Sequence, residues 1–389
     1  MNREARAKAY AEAKAYVVRH HAAHGYPDTE ALRAVCFDAV QAAFPKLDLT
    51  ARWLNMAIAE AARDAARRSP EEWAEIFPRY PVDSDGFAES FEVENPDGYR
   101  EALRRHGCVV IRLFEPERCE ATIKAMFEEI NAAGAAAGVP QAIDPNDPST
   151  WSTENWPSST KFLIDDPALH AQAFHNRLDP RVHTLFTHLW GDERLQTSID
   201  NWGVQRGTLA PGASPRWGAG LKPHWDYNPW LFVDELSRGR MHGWQGLLAL
   251  VDQSLEMGCH LTLPGGEADL HRWCRETPYP EKLGLKRRSH RPTQDDAVRD
   301  WMQPLPLRQG HLLLWSWGQL HGCLDNHTDQ LRLQQFIRMY PAPEVDPFYA
   351  EHDRYAAERV RRRTPEAQRS GGLELSARER RLLGLESWL

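Results

Sequence analysis

The sequence predicts a mainly β core carrying helices, of the α+β class, behind an all-helical amino-terminal extension. Two observations predict it. From Leu195 onward, short apolar runs recur between turns: "LQTSIDNWGVQRGT", "GWQGLLALVD", "GCHLTLP", "GHLLLWSW" and "LRLQQFIRMY". Strand-like runs of that length, broken by turns, build a sandwich or jelly roll. Before them, residues 1 to about 78 carry apolar residues at helical rather than alternating spacing.

Alanine-rich segments near 2–24, 29–43 and 49–67 are separated by "GYPDTE" and "PKLDLT", which supply prolines and Asp or Thr caps. Ser69-Pro70-Glu71-Glu72 has the form of a capping box with proline at the first helical position, so a short helix should begin there. We therefore expect an amino-terminal helical extension over residues 1–80 with no chemistry of its own, and "PRYPVDSDG" as the linker. The main domain is expected over 95–345. It opens with a short helix, an apolar strand at Cys108 to Leu113 and a helix from about Pro116 to Ala133. Gly134 to Ser159, rich in Gly, Pro, Asn and Asp, reads as a long ordered loop. Residues 346–389 return to charged helix and form a tail expected to pack on the core.

Composition narrows the function. A chain of 389 residues, 42% hydrophobic and 26% charged, can bury a large core. Its 47 basic residues against 55 acidic ones give a net charge of -8, which is not the footprint of a nucleic-acid binder. The six cysteines are scattered without a Cys-x-x-Cys pair and read as reduced thiols. The amino terminus lacks the apolar core of a signal peptide, and no apolar run reaches the length of a membrane span. These features point to a protein of the reducing cytoplasm, with neither nucleic acid nor membrane as partner.

The candidate chemistry lies in "KPHWDYNPW", Lys222 to Trp230. Pro223 and Pro229 argue against a helix around His224 and Asp226, and in an extended segment residues i and i+2 share a face. An imidazole and a carboxylate side by side supply two ligands of a 2-His-1-carboxylate iron site. A lone His-x-Asp is weak evidence, and His327-Thr328-Asp329 is a second one. Only the first is followed at strand-rich distance by another suitable histidine, His321 in "QLHG", while after the second comes only His352 in a charged tail. Arg332 lies on the strand beyond His321. Arg332, Gln334, Phe336 and Arg338 share one face of Leu331 to Met339, opposite the more apolar set that pattern alone would bury. A guanidinium facing the interior needs a carboxylate partner, and a dicarboxylic acid would be one.

These residues resemble the phytanoyl-CoA dioxygenase-like branch of the iron(II) and 2-oxoglutarate dependent oxygenases. The shared pattern is His-x-Asp, a distal His-Gly and an Arg about eleven residues on, here His224, Asp226, His321-Gly322 and Arg332. "LLALVDQSLEMGCHLTLPGG" and "HGCVVIRLFEPERCEATIKAM" are similar to the family's middle strands and opening strand and helix. The chain departs where the family commonly continues Pro-Gly-Ser-His, having Pro264-Gly265-Gly266-Glu267, and then inserts about 267–307 as a lid-like segment.

The resemblance implies a double-stranded β-helix holding Fe(II) by His224, Asp226 and His321. Arg332, or Arg338 on its face, would pair with the far carboxylate of 2-oxoglutarate, and O2 would be the oxidant. Hydroxylation of a small molecule, or desaturation or ring formation, would release succinate and CO2. Asp226 favours these outcomes, since related halogenases have a small residue there. Gln245 would touch the cosubstrate or stand behind it. Tyr227, Trp230, Trp156 and Lys161 are candidate substrate contacts, each also readable as packing. "KRRSHR", Lys286 to Arg291, is a solvated loop or a lid over an acidic substrate, and His242, His260 and His311 read as structural. The alternatives are a metal enzyme on the same barrel without 2-oxoglutarate, or a catalytically silent barrel that binds or regulates.

Overall fold

Alternate side chains of a strand point to opposite faces, and here both faces of the main sheet are buried. The computed structural model describes residues 69–156, 163–167, 169–237, 243–277, 289–294, 296–351 and 374–389, with 8–13, 15–17, 38–47, 50, 53, 56 and 57 before them. Its strands are β1 (Ser90–Glu92), β2 (Cys108–Arg112), β3 (Leu163–Pro167), β4 (Leu195–Thr197), β5 (Asn201–Gln205), β6 (Trp244–Ala249), β7 (His260–Thr262), β8 (Gln303–Leu305), β9 (His311–Ser316), β10 (His321–Cys323), β11 (Arg332–Phe336) and β12 (Met339–Pro341). Seven form a large sheet in the order β1-β2-β9-β6-β11-β5-β3, three a small sheet in the order β10-β7-β8, and β12 pairs with β4.

The two faces have different partners. Val109, Ile111, Leu248, Leu312 and Leu314 point into a core shared with the helices Pro96–His106, Pro116–Ala136, Ala171–Leu178 and Pro180–Trp190. Cys108, Val110, Leu247, Ala249, Leu313 and Trp315, the alternating set, meet Leu305 of β8 and so pack the small sheet against the large one. The result is a mixed α/β fold with a β-sheet core. Helix Pro96–His106 shows how local chemistry sets the helix layer. Asn95 accepts from Gly98 N–H at its start, Tyr99, Ala102, Leu103 and His106 form the buried face, and Gly107 ends it at φ 70°, a left-handed cap that glycine adopts without strain.

The capping box at Ser69 and Glu72 forms in both directions and opens helix Pro70–Ile76. That helix does not belong to a separate extension. Its Phe77 cap and Trp73 pack with Trp301 and the second aromatic core. Nor is "PRYPVDSDG" a free linker. Tyr80 is buried, its hydroxyl accepts from Val110 N–H and donates to Glu89 O, and its backbone pairs with the Gln303 amide in both directions. A phenol and an amide close those hydrogen bonds, which a polar composition alone does not reveal. The described residues before position 58 form their own small cluster around Val17, Val40 and Leu47.

Two further expectations change. The run Leu331 to Met339 is two strands, β11 in the large sheet and β12 paired with β4. The 267–307 segment is no simple lid: it begins in helix Gly266–Glu276, whose Leu270 and Trp273 are core, and ends in β8. Pro304 is tolerated there because β8 is the outer strand of its sheet. Near the carboxyl end, Leu382 and Leu383 join the helix-side core, and Trp388 donates its indole N–H to Leu195 O. No helix among the described residues is long and apolar enough to cross a membrane.

Candidate metal centre

His224 lies in a short extended stretch rather than a full strand. Its N–H donates to His321 O at 2.8 Å, and His321 N–H donates back to His224 O at 3.1 Å. This isolated bridge holds the segment beside β10, so the two histidines sit on neighbouring backbones. Trp225 bridges to His290 and turns its side chain into the aromatic core with Trp273 rather than into the cavity lined by His224 and His321. The stretch ends at helix Pro229–Ser237, which the proline opens rather than prevents.

The ligand atoms of His224, Asp226 and His321 all lie within 4.8 Å of one another. Asp226 Oδ1 is 3.3 Å from His224 Nε2, and its Oδ2 is 3.6 Å from His321 Nε2. Each imidazole turns Nδ1 to a backbone carbonyl two residues earlier, His224 to Lys222 O at 2.8 Å and His321 to Gln319 O at 3.0 Å. An Nδ1–H donated to a carbonyl leaves the Nε2 lone pair pointing at the centre. Two lone pairs and a carboxylate facing each other repel unless a cation stands between them, so the donor set fits a divalent metal. Gln245 Nε2 donates to Asp226 Oδ2 at 2.8 Å.

The charges follow the same geometry. For Asp226, burial opposes ionisation, but in the metal-free chain a proton taken up on His224 Nε2, the nearby His321 and the hydrogen bond from Gln245 outweigh it and hold its pKa well below the usual carboxylate range. Burial also opposes charge on His224, and the Asp226 carboxylate outweighs it, so the pKa is raised. At His321, deeper and farther from the carboxylate, burial prevails and the pKa is lowered. A neutral imidazole is the metal-binding form.

The three residues open onto a cavity of about 510 Å³ also lined by Tyr227, Gln245, His260, Trp315, Arg332 and Arg338. Arg332 is 1% exposed; its Nε donates to Gln253 Oε1 at 2.9 Å and its Nη1 to Gln205 Oε1 at 3.3 Å. Hence the polar face of β11 looks into the cavity while Leu333 enters the helix-side core, and burial on both faces resolves the ambiguity in its pattern. Three buried nitrogens of residues lining the wall, His260 Nε2, Trp315 Nε1 and Gln334 Nε2, have no hydrogen-bond partner among the described residues. Such a wall suits an acceptor-rich occupant, as a dicarboxylate is.

The other expected contacts divide. Tyr227 lines the cavity and packs on Trp317 with centroids 5.3 Å apart. Trp230 is not on its wall: it packs on Trp273 and His290 and donates to Cys274 O at 3.0 Å. Trp156 is also core, stacked on the Arg206 guanidinium that Trp217 covers from its own side. Both tryptophans are drawn away because a large ring beside a motif is buried by whichever core is nearest. Lys161, His242 and Lys286 to Arg288 lie outside the described residues. His260, read as structural, lines the cavity instead. The signal was the alternation of "HLT", which turns His260 and Thr262 to one side and Leu261 to the other.

The family model of Phytanoyl-CoA dioxygenase (PhyH) matches residues 103–333, more than half of the chain. A curated relative from Dictyostelium discoideum, "Putative phytanoyl-CoA dioxygenase", is 23% identical over 320 residues, covering 70% of this chain and 88% of its own. Hypothetical protein JW0805 from Escherichia coli shares the fold, covering 87% of this chain and 97% of its own at 13% identity and a TM-score of 0.54. The epimerase SnoN, solved in complex with Fe3+, alpha ketoglutarate and nogalamycin RO, is 17% identical, covering 64% of this chain and 84% of its own at a TM-score of 0.42.

Proposed function

Because the chain belongs to the phytanoyl-CoA dioxygenase family, whose enzymes use Fe(II), 2-oxoglutarate and O2, we propose that His224, Asp226 and His321 hold the iron and that Arg332 pairs with the far carboxylate of 2-oxoglutarate. The reaction is oxidation of a small molecule, by hydroxylation, desaturation or ring formation, with release of succinate and CO2. One observation carries the reading: three convergent ligand atoms and a buried guanidinium share the wall of one cavity. We read the two facing sheets as the family's double-stranded β-helix.

When bound, iron with 2-oxoglutarate and O2 supplies the oxidising chemistry. The protein's residues supply position and charge. His224 and His321 present fixed lone pairs because their other nitrogens are tied to backbone carbonyls. Asp226 stays ionised and is steered by Gln245. Arg332 offers a rigid fork for a carboxylate and so sets the direction in which an extended dicarboxylate lies. Just past the other end of β11, before β12, Arg338 lies 3.3 Å from Asp200, and this ion pair lines the cavity with Asn201 and Tyr227. That end is the substrate side in this reading, and its polar wall suits a substrate bearing charged or hydrogen-bonding groups.

The test is anaerobic addition of Fe(II) and 2-oxoglutarate to the metal-free protein. A visible charge-transfer band is expected with wild type and its loss in His224→Ala; wild-type protein without a band overturns the reading. Succinate release across amino acids, acyl thioesters, nucleotides and natural-product intermediates then identifies the substrate class.

A further inference from the structure

One histidine of the cavity is not used by the ligand set. His260 on β7 is 3% exposed, its ring lies parallel to that of His321 with centroids 5.9 Å apart, and Trp315 covers it at 4.9 Å. Nε2 is buried without a hydrogen-bond partner among the described residues. Leaving a buried polar group unpaired costs about 1–3 kcal/mol, a cost that a ligand accepting from it would remove. Its neighbour on the same face, Thr262, is satisfied within the fold by Leu320 O.

The register places His260 along the wall. It lies opposite Cys323, two residues along β10 from His321. Cys323 and Arg332 both line the same cavity. His260 therefore shares a wall with the metal ligands and the guanidinium, within the cavity that a dicarboxylate spanning the two would cross. Trp315 Nε1 and Gln334 Nε2 are orphaned on the same wall. An indole N–H can only donate, and Gln334 is oriented by Gln253, whose amide donates to Gln334 Oε1 at 3.4 Å. The unmet capacity of the wall is thus for donation.

We propose that His260, as its Nε2–H tautomer, donates a hydrogen bond to 2-oxoglutarate between the metal ligands and Arg332, and so is a cosubstrate-binding residue. This rests on the cosubstrate reading above. The experiment titrates 2-oxoglutarate into the Fe(II)-loaded full chain without oxygen, following the charge-transfer band, in wild type, His260→Phe and His260→Gln. Phe keeps a ring against His321 and Trp315 but has no donor; Gln restores one. The dissociation constant should rise about tenfold or more in His260→Phe, the loss expected for a hydrogen bond to a charged group, and stay near wild type in His260→Gln. Fe(II) affinity, measured separately by chelator competition, should be unchanged in both. Unchanged 2-oxoglutarate affinity in His260→Phe, or equal weakening in both variants, overturns the proposal, as does a parallel loss of Fe(II). His260→Leu takes the place of Phe should that variant not fold. Absence of the band in wild type would instead refute the underlying reading, so the two failures are distinguishable.

Discussion

Gln245 Nε2 lies 2.8 Å from Asp226 Oδ2, and this single hydrogen bond ties β6 of the large sheet to the loop that carries the carboxylate. Groups that orient a metal ligand typically contribute 10–100-fold to metal affinity. Gln245→Ala should therefore weaken Fe(II) binding about tenfold while leaving the fold intact. Chelator competition under anaerobic conditions measures it, and wild-type affinity in the variant would show that the bond does not orient Asp226.

Asp226 stands 3.3 Å and 3.6 Å from two imidazole nitrogens. Metal binding to the folded chain alone should raise its thermal stability, by about 2.7 kcal/mol at a hundredfold excess over the dissociation constant. Mn(II), inert to air on the timescale of a melt, serves as the probe. A rise in Tm with wild type that EDTA reverses and Asp226→Ala lacks is expected. An equal rise in that variant would place the bound metal elsewhere.

Trp156 packs against the Arg206 guanidinium in the helix-side core and does not line the cavity. Trp156→Ala should cost about 3–5 kcal/mol of stability, the usual range for removing a buried aromatic. Its 2-oxoglutarate affinity should remain within about twofold of wild type. A selective loss of cosubstrate or substrate affinity with little change in urea unfolding would return Trp156 to the site.

Glu267 sits in the first turn of helix Gly266–Glu276, where burial pushes its carboxyl up to about 7 despite the Gly318 N–H that favours the charged form. Between the ordinary value of 4.5 and about 7, the folded chain keeps a proton that the unfolded chain has released. This contribution is fully present below the lower value and is lost as pH rises through the upper one, amounting to ~3 kcal/mol. Urea unfolding across pH 5 to 8 should show wild type losing stability relative to Glu267→Gln as pH rises. Parallel curves would mean that Glu267 titrates normally.

His224, Asp226, His321 and Arg332 were legible in the sequence as one group because each signal is local: i and i+2 on extended chain, a histidine after a strand, a cation on a strand beyond it. The structure brings these four to one cavity. Gln245 was visible as a polar residue on an apolar strand, but its contact with Asp226 spans separate segments. For Trp230 and Trp156 the sequence left packing and substrate contact both open, because proximity to a motif says little about which of two cores receives a large ring. Helix Gly266–Glu276 and β8 were hidden because short elements take their stability from the sheet and core they join.

By itself the sequence determined the strand-like runs, the capping box at Ser69, the spacing of candidate ligands and the family resemblance, all properties of residues near one another along the chain. Only the tertiary structure decided which face of β11 looks inward, that residues 70–80 pack on the main body, and that His260 lines the cavity shared by the candidate metal ligands and Arg332. Those outcomes depend on which surfaces are buried against each other. A strand with two buried faces, or a histidine with no neighbour to satisfy it, is recognisable only after distant segments have met.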